Sequence, residues 1–278
     1  MGFGSNHMTV TTGAKFIPEL WIDKVVKATE AQLVLWKNTW DWSENEPSNK
    51  LQAPLLSNLT ANNKSASSAV TFNSPTEDEK ELDLTTHKEC SFLIEDILKA
   101  QASYNITKMY TDKAAYAIAK VMDSAVSALF ASFSQAVGAA GSPMGDQQIL
   151  DAIEFLDLAD APETERVLVI HPSQKNALFS IEKYFRADFS GNGSSSILTK
   201  GKFGELYGIP VYVTTNLSTS GGARLNALYQ KEAIATGVSY GPRVQGDYIL
   251  EYLANLVVCD VVYGLTETRD DHGVWIKS

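Results

Sequence analysis

The residues Gly237-Val238-Ser239-Tyr240-Gly241 fit the Gly-x-Ser-x-Gly pattern of a nucleophile elbow, and Asp260 and His272 follow in hydrolase order. The chemistry would be acyl transfer by a serine hydroxyl that an imidazole deprotonates and a carboxylate orients. That reading sets a demand on the backbone. The serine must sit where a strand turns directly into a helix, because this turn exposes the hydroxyl and lets the helix start help hold an oxyanion. Pro242 and Gly246 follow at once, and too little chain remains after Ser239 for the usual further strands and helices. A serine hydrolase using Ser239 is therefore kept only as an alternative. His171 stands behind Val167-Leu168-Val169-Ile170, where open α/β sheets place catalytic groups, but Pro172 and Ser173 make helix-start chemistry the simpler account. His7, His87 and His272 have no second His or Cys at ligand spacing, so no metal or cofactor is expected. Cys90 and Cys259 lie far apart in the chain. They argue for neither a disulfide framework nor a zinc site, and a reducing compartment fits them best.

The elements that would position such groups belong to a globular chain. It has 278 residues, 44% of them apolar, enough for one large domain or two small ones. Lys and Arg total 23 against 33 Asp and Glu, a net charge of −10 with no basic cluster, which argues against sequence-driven nucleic-acid binding. The first residues lack the basic flank and apolar stretch of a secretory signal. The longest charge-free window, Ser124 to Gly145, is mostly Ala, Ser, Gly and Gln and ends in Ser142-Pro143, so it reads as core helix and turn rather than a membrane span.

Composition shifts sharply along the chain. Trp21, Trp36, Trp40 and Trp42 crowd into one short stretch, a cluster that either fills a core or anchors a segment on another surface. Ser43 to Ser68 is rich in Asn and Ser and should not fold alone. Ala69-Val70-Thr71-Phe72 reads as a strand, Pro75 to Lys80 as an acidic turn and Glu81 to Ile94 as the return strand of a long exposed hairpin, with helix following from Ile94. Acidic residues, Glu77, Asp78 and Glu79 among them, outnumber lysines there, as on a solvated charged loop. Thr111 can cap a long helix in which Ala115, Ile118, Met122, Ala125, Leu129 and Phe133 form one apolar stripe, ended by Gly138, Gly141 and Pro143. A second helix runs from Asp146 to Ala159, with Ile149, Ile153 and Leu156 facing the core. Val167 to Ile170 is a buried-type strand, Ser173 can cap a helix through Phe185, and Ile209 to Val213 is another strand. The end reads as a strand from Ala227 to Ala235, an apolar run from Tyr248 to Leu265 and a hairpin turned at Asp270-Asp271-His272-Gly273.

The order of these segments resembles the major capsid proteins of tailed bacteriophages, which have the Hong Kong 97-type fold. The stretches that carry the resemblance are Phe16-Ile17-Pro18-Glu19-Leu20-Trp21, Glu89-Cys90-Ser91-Phe92-Leu93-Ile94-Glu95-Asp96, Val167 to Ser173, Gly204-Glu205-Leu206-Tyr207-Gly208-Ile209-Pro210-Val211, and the block from Asp247 to Ser278. The resemblance implies an α+β chain divided into an N-terminal arm (1–50), an extended loop (51–93), a peripheral domain (94–144) with its spine helix at 111–136, an axial domain (145–245) and a return to the peripheral domain (246–278). It implies a non-enzymatic virion protein that assembles with itself as hexamers and pentamers of an icosahedral shell, in the cytoplasm of a bacterial host. Its other partners would be a separate scaffolding protein, a portal and packaged double-stranded DNA held by weak, non-specific contact, with no membrane. Trp21, Trp36, Trp40 and Trp42 of the arm and Glu77, Asp78 and Glu79 of the loop are the expected intersubunit contacts. Deleting residues 1 to 42 should then impair assembly and leave the body folded. An arm starting so close to Met1 leaves little room for a built-in scaffold, and no motif assigns a Lys-Asn crosslink. An encapsulin-type compartment shell shares the fold and is the nearest alternative.

Overall fold

The computed structural model describes residues 34–43, 48–56, 59–70, 72–74, 77–97, 106–181 and 204–278. The chain enters through a short helical turn (Trp36–Asn38) and a two-residue strand β1 (Trp40–Asp41). Three strands follow, β2 (Lys50–Leu56), β3 (Glu77–Asp83) and β4 (Thr86–Glu95), and then the helix α1 (Ile106–Leu129). Its 24 residues span roughly 36 Å at 1.5 Å per residue. Ala114, Ile118, Met122, Val126 and Phe130 recur every fourth position and are buried, so the stripe passes through Ala114 and leaves Ala115 exposed. The helix starts a full turn before Thr111, whose hydroxyl donates to the Thr107 carbonyl at 2.9 Å and caps nothing. It also stops short of residue 136. Gln135–Gly138 forms β5 instead, because that segment gains a full parallel pairing with the last strand of the chain.

The second half supplies α2 (Asp146–Leu158), β6 (Arg166–Ile170), α3 (Pro172–Phe179), β7 (Glu205–Leu206), β8 (Ile209–Val213), β9 (Thr219–Ser220), β10 (Ala223–Gln230), β11 (Ile234–Ile249), β12 (Ala254–Glu267) and β13 (Gly273–Lys277). Their main sheet runs β5-β13-β10-β6-β8-β7, with β9 beside β10. Strand β6 explains its unbroken apolar run: Leu168 and Ile170 pack with Ile149, Leu156 and Leu178 of α2 and α3, while Val167 and Val169 pack with Phe130, Phe133 and Tyr229. The residue that caps α3 is His171, not Ser173: its Nδ1 accepts the Ser173 amide at 3.2 Å. The helix ends at Phe179, and the expected continuation to Phe185 runs into residues 182–203, outside the described part.

A second sheet, β1-β11-β12-β4, lies under α1, with Cys259, Val261 and Tyr263 facing Ala114, Ile118 and Met122. The chain keeps to strand through Glu95, one residue beyond the expected helix start at Ile94, because Ile94 and Glu95 still pair with Asn255 and Ala254. Two hairpin expectations fail for a shared reason, which is that partners come from elsewhere in the chain. The described residues around Val70 and Phe72 form no strand, and Phe72 is 87% exposed; β3, placed where a turn was expected, pairs instead with β2. The turn at Asp270–His272 joins no hairpin either, since β12 belongs to the second sheet and β13 to the first. Among the described residues no helix is long and apolar enough to cross a membrane.

Candidate functional site

The hydrolase constellation does not assemble. Ser239 lies inside β11, at an irregularity of the β11–β12 pairing and with no helix behind it, so the hydroxyl lacks the strand-to-helix turn the chemistry requires. Asp260 faces other partners. Its carboxylate accepts Arg243 Nε at 2.8 Å and Nη2 at 2.8 Å, and lies 3.0 Å from His87 Nε2. The Arg243 guanidinium first, then His87, pulls the Asp260 carboxyl down to about 2. His272 sits buried in the turn before β13, where burial pushes its imidazole below the ordinary value. His171 is held by Ser173 as a helix cap and is likewise lowered by burial.

The feature that stands out of the body is the β2–β3 ribbon. Its register runs from Lys50↔Asp83 to Leu56↔Glu77, and its two strands pair with each other and with no third strand among the described residues. Lys50 pairs with Glu81 and, at 3.7 Å, with Asp83, while Gln52 donates to Glu81 at 3.0 Å. The root is apolar and closed: Leu82 and Leu84 are buried. They sit on Gly237 and Gly264, which are themselves cross-strand partners in β11 and β12. A Cβ on Gly264 would stand 2.1 Å from the Asp83 carbonyl oxygen, and one on Gly237 2.9 Å from Leu82 Cδ2. The first glycine of the elbow-like motif thus belongs to a side-chain-free seat for the ribbon root.

The segment before β1 is fastened by a residue that the sequence reading passed over. Asp123, buried in α1, accepts the Leu35 amide at 2.7 Å and the Trp36 amide at 3.1 Å through one oxygen, and Asn216 Nδ2 at 3.3 Å through the other. A carboxylate beside Met122 in an apolar helix stripe was the available signal. Leu35 is fully buried, so a deletion of residues 1 to 42 would take out core and would not leave the body intact.

Of the predicted contact residues, Trp21 lies outside the described part. Trp36 packs inside its own chain, edge-on to Tyr263 at 5.7 Å. Trp40 and Trp42 meet edge-to-face at 5.1 Å and, with Ser48, Lys50, Leu51, Gln52 and Ala53, line a groove of about 530 Å³ beside β2; Trp40 is 38% exposed. Glu77, Asp78 and Glu79 occupy β3 opposite Leu56, Leu55 and Pro54, and the Glu79 side chain is exposed. The structure thus brings Trp40 and Trp42 to the ribbon's flank, with Trp36 held in the body.

No protein-family model and no curated protein matches the sequence. Solved structures do. A chain of Mycobacterium phage Che8 is similar with a TM-score of 0.81 at 23% identity, over 94% of this chain and 97% of its own. A chain of the capsid of cyanophage P-SCSP1u has a TM-score of 0.81 at 16% identity, over 99% and 96%. A chain of the capsid of a native GTA particle reaches 0.73 at 13% identity, over 99% of both chains. The fold is that of phage capsid chains, the Hong Kong 97-type fold to which the sequence resemblance points. It is an α+β fold with one long helix over a sheet and a two-stranded extension.

Proposed function

We propose that this chain is the major capsid protein of a tailed bacteriophage, a structural protein that assembles as hexamers and pentamers into an icosahedral shell around double-stranded DNA. The observation that carries the reading is the coextensive likeness to capsid chains, which leaves almost no part of either chain unmatched. The ribbon supports it. A two-stranded extension with unpaired edges is marginal in water, and neighbouring subunits supply the surface it lacks. In this reading residues 1–50 are the arm, 51–93 the extended loop, 94–144 the peripheral domain, 145–245 the axial domain and 246–278 the return. The sheet β1-β11-β12-β4 is where these spans meet. Trp21, Trp40, Trp42, Glu77, Asp78 and Glu79 make the contacts between subunits, while Trp36 anchors the arm to its own body. The net charge of −10 keeps contact with packaged DNA weak and blind to sequence. A separate scaffolding protein and a portal complete assembly in the host cytoplasm.

The test is electron microscopy of the purified full chain with and without a co-expressed scaffolding protein. Capsomers or closed shells are expected. Monomers alone under every assembly condition would overturn the reading, and shells filled with enzyme cargo and free of nucleic acid would turn it to an encapsulin-type compartment.

A further inference from the structure

Cys90 and Cys259, distant in sequence, are cross-strand neighbours. They stand directly opposite one another on β4 and β12, within an antiparallel register that runs unbroken from Thr86↔Tyr263 to Glu95↔Ala254. Directly opposed residues share a face, with Cα atoms roughly 4.5–5.5 Å apart, inside the ~4.4–6.8 Å that a disulfide spans. Both side chains join the apolar cluster under α1, with Val261, Tyr263, Ile118 and Met122 around them. Both thiols are free in the structure; Cys259 is 2% exposed and Cys90 is partly exposed.

We propose that Cys90 and Cys259 are a redox site, which a small-molecule disulfide such as oxidised glutathione converts to a cross-strand disulfide locking β4 to β12. The Cys90 thiolate, the more accessible, attacks one glutathione sulfur, forming a mixed disulfide and expelling one glutathione thiolate. The Cys259 thiolate then attacks the Cys90 sulfur and expels the second glutathione. The two cysteines lose two electrons, the glutathione disulfide gains them, and the two thiol protons end on the two glutathione thiols. The order follows from exposure. Burial first, and then the neighbouring Cys90, also raises the Cys259 thiol above its ordinary value, which disfavours Cys259 as the first to attack.

The bond has a mechanical consequence. Strand β3 passes through Leu84 and Thr85 straight into β4, so fixing β4 to the central strand β12 fixes the strand that follows the ribbon root. A link between positions so far apart in sequence also restricts the unfolded chain strongly. None of this depends on whether the chain builds a shell.

The experiment treats the purified full chain with oxidised glutathione, blocks remaining thiols with a maleimide and maps the digest by mass spectrometry. Expected are a Cys90–Cys259 peptide pair lacking two hydrogens, no maleimide on either cysteine, and a thermal midpoint raised above that of the reduced protein and restored by dithiothreitol. A persistent glutathione adduct on Cys90 with Cys259 still free, or a disulfide-linked dimer, would overturn the site. Cys90→Ser, a change at the partly exposed position, should fold and lose the oxidant-dependent rise in midpoint. If that variant rises with oxidant as the wild type does, the lock is disproved.

Discussion

The main sheet and the β2–β3 ribbon are built from strands of similar length on opposite principles. In the sheet, Val169, Ile170, Ala227 and Leu228 are wholly buried, with helices or other strands against both faces. In the ribbon, Leu82 and the adjoining Leu84 are buried at the root, while Lys50, Glu79, Lys80, Glu81 and Asp83 put charge along the same two strands. A strand buried on two faces takes its shape from its own subunit, because the area removed from water is collected within one chain. A two-stranded ribbon has no such source and takes its shape from the seat at its root and from whatever it meets beyond. The difference teaches where damage should spread: through the whole body from the sheet, and only into assembly from the ribbon.

The largest effect is expected at the sheet. Ile170→Ala removes a fully buried side chain between α2, α3 and β8, and should cost about 2–5 kcal/mol in denaturant unfolding, with one cooperative transition retained. Gly264→Ala comes next, since its new Cβ meets a backbone oxygen that cannot swing aside. The strand or the root must shift, at about 1–3 kcal/mol, and residues 48–85 should become more sensitive to protease. Gly237→Ala should be milder, because the closest atom it meets is the end of the Leu82 side chain. Equal protease sensitivity in Gly264→Ala and wild type would remove the glycine seat from the account.

How much of this was legible follows the same division. The buried strand at 167–170, the strand at 209–213 and the helix from Asp146 show their period in adjacent residues, and each formed where expected. The ribbon was misread because β2 pairs with a strand more than twenty residues away and neither strand alternates cleanly in polarity. The Gly-x-Ser-x-Gly motif misled for a related reason. Its first glycine is required by a close approach from Leu82, Leu84 and Leu51, a contact that local spacing cannot express. Cys90 and Cys259 likewise seemed unrelated because only the β4–β12 register puts them opposite each other. Trp36 and Asp123 were separable only through contacts far along the chain: a tryptophan near the start reads as an anchor until the carboxylate that holds its amide is found.

A smaller effect is expected at Asp260, which the second sheet holds beside Arg243 and His87. Its carboxyl titrates at about 2, below its ordinary value of 3.8. The charged form is therefore favoured by folding, and its contribution is present above the ordinary value and lost as pH falls towards 2. Asp260→Asn should lower the thermal midpoint at neutral pH and converge with wild type as the medium is acidified to pH 2 and below. Two midpoint curves that stay parallel across that window would show that the pair contributes nothing to acid stability.

The smallest effect on folding, and the sharpest on assembly, is expected from Glu77→Lys, Asp78→Lys and Glu79→Lys combined. Their backbone pairing with Leu56, Leu55 and Pro54 needs no carboxylate, and the buried Leu82 and Leu84 lie at the ribbon's other end. The thermal midpoint of the body should stay close to the wild-type value, since charge changes at the far end of the ribbon from Leu82 and Leu84 leave the core contacts of its root in place. Shell formation followed by electron microscopy should fail if the proposed contacts hold, because charge of the wrong sign is then presented along the edge proposed to meet the neighbouring subunit. The two readouts separate the two claims. A midpoint lowered as far as that of Ile170→Ala would make the ribbon part of the body's cooperative unit and end the contrast between them. Normal shells with a normal midpoint would leave the contrast standing and take the acidic edge out of assembly.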